Sequence, residues 1–207
     1  MLKIWGRTNS INVQKVLWCC AELNLPFERI DAGMAFGVNN TPEYRQMNPN
    51  ALVPVINDDG FILWESHAIV RYLARKHGTG TLCPADAQDY ADADRWMDWY
   101  ATTVWPQLQP VFWNLIRVAP DKRNMALVET STKKVIDAMA IADAHLASRP
   151  YVTGEKFTMG DIPLGCALAR WLNLPLERPS HPNVEAYYRR LQTRPAYRQW
   201  VNILPLT

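Results

Sequence analysis

Two short runs hold the residue types best suited to chemistry. Ser10 and Asn12 stand where a turn-rich loop, Gly6 to Ile11, gives way to apolar residues at helical spacing. The first N–H groups of a helix are unpaired and its macrodipole favours an anion. A Ser10 hydroxyl and an Asn12 amide placed there suit one anionic atom, although Ser10 equally suits a plain helix cap. The second run is Met47 to Ile56, followed by Trp64-Glu65-Ser66-His67. Pro54 cannot donate to a sheet ladder, so it belongs at a strand start, an edge or a bulge. That leaves the N–H and C=O of Val53 for a ligand's backbone. Glu65 offers a carboxylate to an ammonium group, and Ser66 reads as the N-cap of the next helix. Together these parts suit a short, extended, charged peptide, and they equally suit a purely structural strand–hairpin–helix unit.

Other catalytic patterns are missing. His67, His77, His145 and His181 lack any nucleophile elbow or H-E-x-x-H spacing, and no glycine-rich phosphate loop occurs. The four cysteines, Cys19, Cys20, Cys83 and Cys166, form neither a C-x-x-C pair nor a metal spacing. No metal is expected. A net charge of +2 without a run of Lys and Arg argues against a nucleic-acid partner. No apolar stretch reaches the roughly 18 residues of a membrane span. The first residues lack the apolar core of a secretion signal, so a cytoplasmic protein is expected.

The elements that must position these residues follow from periodicity. Leu2–Trp5 reads as a strand, Asn12–Leu23 as a helix and Phe27–Ile30 as a strand. Asp31 to Thr41 is a polar loop, and a short helix covers Pro42 to Met47. Asp58-Asp59-Gly60 marks a hairpin between strands Val53–Ile56 and Phe61–Trp64, and a helix spans Ser66 to Lys76. Gly78 to Pro84 is linker-like, and beyond it only helical patterns occur. These run from Asp86 to Arg117, with a bend expected at Pro106 and Pro110, and from about Pro120 to Ser148. Shorter helices follow near Asp161–Leu172, Asn183–Gln192 and Ala196–Asn202. Thr158-Met159-Gly160-Asp161 is an acidic capping box. The division is α/β plus all-α: residues 1–77, a linker at 78–85, and a helical domain at 86–207.

The motifs Met47 to Ile56, Glu65-Ser66-x-Ala68-Ile69-x-x-Tyr72-Leu73 and Gly154-x-x-Phe157-Thr158-x-Gly160-Asp161-Ile162, with Arg194-Pro195-Ala196, resemble cytosolic glutathione transferases. The opening, Trp5-Gly6-Arg7 with Asn9-Ser10 and Asn12-Val13, is similar to bacterial theta-like members. The resemblance spans nearly the whole chain. It implies a thioredoxin-like N-terminal domain, a helical-bundle C-terminal domain, a homodimer, and glutathione as cosubstrate.

By position, the resemblance makes Pro54 the cis-proline of the fold and sets Val53 against the cysteinyl backbone of glutathione. It puts Glu65 on the ammonium and Ser66 on the carboxylate of the γ-glutamyl end. Ser10 matches the thiol-stabilising hydroxyl of serine-type members, and Asn12 an asparagine that some bacterial members use instead. Leu52 replaces a lysine of many theta-like members, which leaves Asn39 or Asn40 as candidate donors to the glycine carboxylate. The electrophile would lie between the Ser10 loop and the helix after the linker. Trp105, Phe112, Trp113 and Leu115 are candidates for its apolar wall, and Arg7 and Arg117 are either a preference for carboxylates or solvated charges. A small alkyl or aryl halide fits this reading. The alternatives are a glutathione-dependent peroxidase or disulfide reductase, and a non-catalytic binding module on the same fold.

Overall fold

The computed structural model describes residues 1–203 and 205–207. Four strands form one mixed sheet in the order β2-β1-β3-β4: β1 (Leu2–Trp5), β2 (Phe27–Ile30), β3 (Val55–Asp58) and β4 (Phe61–Trp64). β1 runs parallel to β2, with Leu2 opposite Phe27, and antiparallel to β3, with Ile4 opposite Ile56. α1 (Ile11–Glu22) is the crossover that a parallel pair requires. β3 and β4 are joined by Asp59 and Gly60, both at positive φ, as a two-residue hairpin demands.

The alternation of side chains assigns the two faces of the sheet. Leu2, Ile4 and Ile56 point into the main core with α1 and α3 (Ser66–His77). Trp5, Val55 and Trp64 cover the other face with Tyr44 of α2 (Pro42–Met47).

The helical half begins at α4 (Ala87–Trp99), capped by Asp86 onto the N–H groups of Gln88 and Asp89. The expected break near Pro106 is a π-helical stretch, Tyr100–Val104, leading into α5 (Trp105–Phe112), with a second such stretch at Trp113–Arg117. Such bulges accommodate the backbone hydrogen bond that proline, lacking an N–H, cannot make. Then come α6 (Met125–Leu146), α7 (Asp161–Trp171), α8 (Pro182–Gln192) and α9 (Pro195–Trp200). Among the described residues no helix is long and apolar enough to cross a membrane.

α7 is buried along its whole length and packs on α1, so it joins the two halves. Trp18 of α1 meets Tyr197 edge-on at 4.8 Å. Gly165 is what lets α7 approach, because a Cβ there would lie 2.8 Å from the Trp18 ring. The Thr158–Asp161 box forms in part as expected. Asp161 reaches back to the Thr158 N–H at 2.8 Å, but the Thr158 hydroxyl accepts from Gly160 rather than Asp161. Asp161 also accepts from the Val152 N–H and the Tyr187 hydroxyl, and burial pushes its carboxyl up to about 6.

Three element starts beside the candidate site residues differ from expectation. β3 starts at Val55, so Val53 and Pro54 lie outside the ladder, and the Val53–Pro54 bond is cis. α1 starts at Ile11, which makes Ser10 its N-cap residue and sets Asn12 in its first turn. α3 starts at Ser66, so Ser66 is not the N-cap; Glu65 takes that place at φ 70°, a backbone that periodicity does not reveal.

Candidate active site

A cleft of about 270 Å³ opens between the Ser10 loop and the α5 region. Its walls bring together Arg7, Ser10, Asn12, Val53, Trp105, Trp113 and Arg117, seven of the residues singled out from sequence. They come from three separate stretches, and the fold alone makes them neighbours.

Ser10 has the backbone of an N-cap, yet its hydroxyl makes no capping bond. The Ser10 C=O still accepts from the Gln14 N–H, so α1 starts normally while the hydroxyl stays uncommitted. The Asn12 Oδ1 accepts from the Lys15 ammonium at 3.0 Å. Across the cleft, the N–H and C=O of Val53 take part in no hydrogen bond among the described residues, because Val53 stands before the ladder begins. The 51–53 segment is itself held firmly. The Leu52 C=O accepts from the Tyr44 hydroxyl at 2.8 Å and the Asn48 amide at 2.9 Å.

The Asn39 amide donates to the Ala51 C=O at 2.7 Å, so it braces the same segment. Asn39 and Asn40 do not line the cleft. Glu65 and Ser66 lie beyond its wall at the start of α3; their side chains have no hydrogen-bond partner among the described residues, and Glu65 is exposed. Leu115, expected at the apolar wall, is buried in the core instead, whereas Phe112 does reach the cleft.

Arg170 carries no sequence signal beyond being the lone cation of α7, whose other charged residue is Asp161. It lines the cleft, stacks on the Phe112 ring at 4.4 Å, and donates to the Gln14 side chain and the Asn9 C=O at 3.2 Å each. Arg117 donates to the same Asn9 carbonyl at 3.5 Å, so two helical-half cations pin the Ser10 loop. Arg7, Arg117 and Arg170 each keep a buried Nε without a partner, and none is within ion-pair distance of an Asp or Glu among the described residues. Burial lowers the pKa of all three, with Arg170 brought to about 10, where it remains charged at neutral pH. Arg117 also donates to the Thr207 carbonyl oxygen at 2.6 Å, and with no Asp or Glu in its walls among the described residues the cleft favours negative charge. No group of His, Cys, Asp and Glu suited to a metal occurs among the described residues.

Residues 1–75 match the family model for the glutathione S-transferase N-terminal domain, and residues 125–190 that for the C-terminal domain. Glutathione S-transferase GstB of Escherichia coli K12 is 40% identical over 205 residues, covering 98% of this chain and 99% of the relative. Glutathione S-transferase 3 of Zea mays is 32% identical, with 99% and 95% covered. A crystal structure of a theta class glutathione S-transferase from Xanthomonas axonopodis pv. citri with glutathione bound superposes with a TM-score of 0.96, at 43% identity, covering 100% of this chain and 99% of that one.

Proposed function

The chain belongs to the glutathione S-transferase family, and on that premise we propose that its Ser10–Asn12 cleft activates the glutathione thiol for attack on an anionic electrophile. Glutathione is the cosubstrate. The observation that carries the assignment of roles is the pair of uncommitted donors, the Ser10 hydroxyl and the Asn12 amide, at the positive end of α1 in a cleft that also exposes the Val53 backbone.

The reactive species is the thiolate, and a free thiol of this kind has a pKa of about 8.5. One or two hydrogen bonds to a charged sulfur, each worth about 1.5–3 kcal/mol, act together with the helix terminus. They suffice to lower that pKa by about two units, at about 1.4 kcal/mol per unit. The thiol proton leaves to solvent. The sulfur then forms a bond to the electrophilic carbon, and the leaving group departs with its electron pair. Val53 exchanges backbone hydrogen bonds with the cysteinyl residue, Pro54 shapes the bend that presents it, Glu65 pairs with the γ-glutamyl ammonium, and Ser66 donates to its carboxylate. Trp105 and Trp113 form the apolar side of the second-substrate site, while Arg7 and Arg117, with Arg170, attract its anionic group.

All four cysteines are buried, and none lines the cleft. Disulfide exchange through a protein thiol therefore has no support, and a reductase route would need two glutathiones. We assign residues 1–77 to glutathione binding, 78–85 to the linker and 86–207 to the helical domain, in keeping with the end of α3 at His77 and the start of α4 at Ala87. A cytoplasmic homodimer with a detoxifying role completes the proposal, its assembly state to be read by light scattering.

The test is a glutathione titration followed by ultraviolet thiolate absorbance. A thiolate signal at neutral pH is expected, reduced by Asn12→Ala and by Ser10→Ala to extents that rank the two donors. No signal in the unaltered protein refutes the assignment, and a signal insensitive to both substitutions moves it to other residues.

A further inference from the structure

Lys15 is the one buried lysine among the described residues, and the proposed mechanism has not used it. It projects from α1 one turn beyond Asn12, and its ammonium is fully accounted for by three neighbours. It donates to the Asn12 Oδ1 at 3.0 Å and approaches the His67 Nε2 at 3.0 Å. Its third face rests on the Tyr100 ring, 4.4 Å from the centroid, a cation–π contact. In its charged form Lys15 is donor-only, so the His67 Nε2 is then the acceptor and the imidazole proton sits on Nδ1. Burial and the nearby Lys15 drive the His67 pKa down to about 2, in keeping with a neutral ring. The charged and titratable groups around Lys15 come from every element packed on it: Glu65 and His67 at α3, Tyr100 after α4, and Cys166 and Arg170 of α7. No carboxylate lies within ion-pair distance among the described residues.

A buried cation without a counter-ion is expensive to fold around. Its geometry shows what it does. The oxygen and nitrogen of a planar amide diverge from one carbon, so holding one fixes the direction of the other. With the Asn12 Oδ1 taken up by Lys15, the end of the amide left for the cleft that Asn12 lines is Nδ2, which has no hydrogen-bond partner among the described residues. An unanchored asparagine presents either atom to the cleft, and an oxygen turned outward would repel a thiolate.

We propose that Lys15 is a positioning residue for thiol activation: its ammonium, braced by His67 and Tyr100, locks the Asn12 amide with its N–H groups toward the glutathione sulfur and polarises them. This rests on the proposed role of Asn12 as a thiolate donor.

Lys15→Met keeps the length of the side chain and removes the donor. Two quantities are read on the intact protein: the apparent pKa of bound glutathione by thiolate absorbance, and the affinity for S-methylglutathione, which has no thiol to ionise. The expected result is a pKa raised by about one unit, a roughly tenfold loss of thiolate at low pH, with S-methylglutathione affinity held within about twofold. In an Asn12→Ala background the Lys15 substitution should add nothing, since the two act as one unit. An unchanged titration, or the same shift without Asn12, overturns the proposal. If Lys15→Met does not accumulate, Lys15→Leu, which likewise lacks a donor, is read by the same two criteria. Loss of signal in the unaltered protein would instead count against thiol activation itself, so the two failures are distinguishable.

Discussion

Burying Lys15 leaves a signature in stability against pH that is independent of any substrate. Its pKa falls from 10.5 to about 7, chiefly through desolvation. A base whose folded pKa is depressed binds its proton less readily in the native state than in the unfolded chain. Stability therefore rises with pH between about 7 and 10.5, where the unfolded chain holds a proton that the native state has released. At pH 7 the native lysine is half charged, and by pH 9 it is almost neutral, while the unfolded chain stays protonated. Integrating that difference at 1.36 kcal/mol per proton per pH unit gives about 2 kcal/mol of extra stability at pH 9 over pH 7 from this residue alone. Cys19, Cys20 and Cys166, raised by burial, work in the opposite sense at the alkaline end. Their contribution is common to the parent and Lys15→Met and cancels in the difference. Urea unfolding of both proteins at pH 7, 8 and 9, with m-values compared, reads the effect directly. The gap between them should move by about 2 kcal/mol in favour of the parent as pH rises. Parallel curves would mean that Lys15 keeps an ordinary pKa in the fold, and the account of a buried, uncompensated ammonium would be wrong.

Arg170→Met removes a cleft cation together with its guanidinium stack on Phe112 and its bonds to Asn9 and Gln14. It should raise KM for a carboxylate-bearing electrophile about tenfold while leaving a neutral analogue within about twofold; equal losses on both would show a structural role. Glu65→Gln should weaken glutathione binding by about 1–3 kcal/mol in calorimetry, because a charged hydrogen bond to the ammonium is lost. Unchanged affinity would remove Glu65 from the site. Gly165→Ala places a Cβ 2.8 Å from Trp18 and 2.9 Å from Leu191, and should cost about 1–3 kcal/mol, seen as a lower Tm. A melt matching the parent would show that the α1–α7 contact yields readily.

Much of the scaffold was legible because its signals are local. The Asp59-Gly60 turn, the alternation of Phe27–Ile30, the apolar spacing of α1 and α3, and the capping box of α7 all act over a few residues. The Ser10–Asn12 and Val53–Pro54 runs were legible for the same reason, since a helix start and a proline ahead of a strand create unpaired backbone groups wherever they occur. The placement of Ser66 failed by one residue because Glu65 takes a positive φ that no side-chain pattern announces. Leu115 failed because both faces of the α5 region are apolar, and spacing does not say which one the core takes.

Sequence by itself determined the elements, their order, and the residue types in the Ser10–Asn12 and Val53–Ser66 runs. Tertiary structure alone decided which of them share a cleft and what state they are in. Whether the Ser10 hydroxyl is free or spent on a cap depends on loop geometry. That Lys15 turns inward, that Arg170 faces the Ser10 loop from a helix more than 150 residues away, and that His67 stays neutral all depend on α1, α3, α5 and α7 closing on one another. Charge, orientation and pKa are set by desolvation and by neighbours within a few ångströms. In this chain those neighbours are distant in sequence, so the chemistry of the site exists only once the packing does.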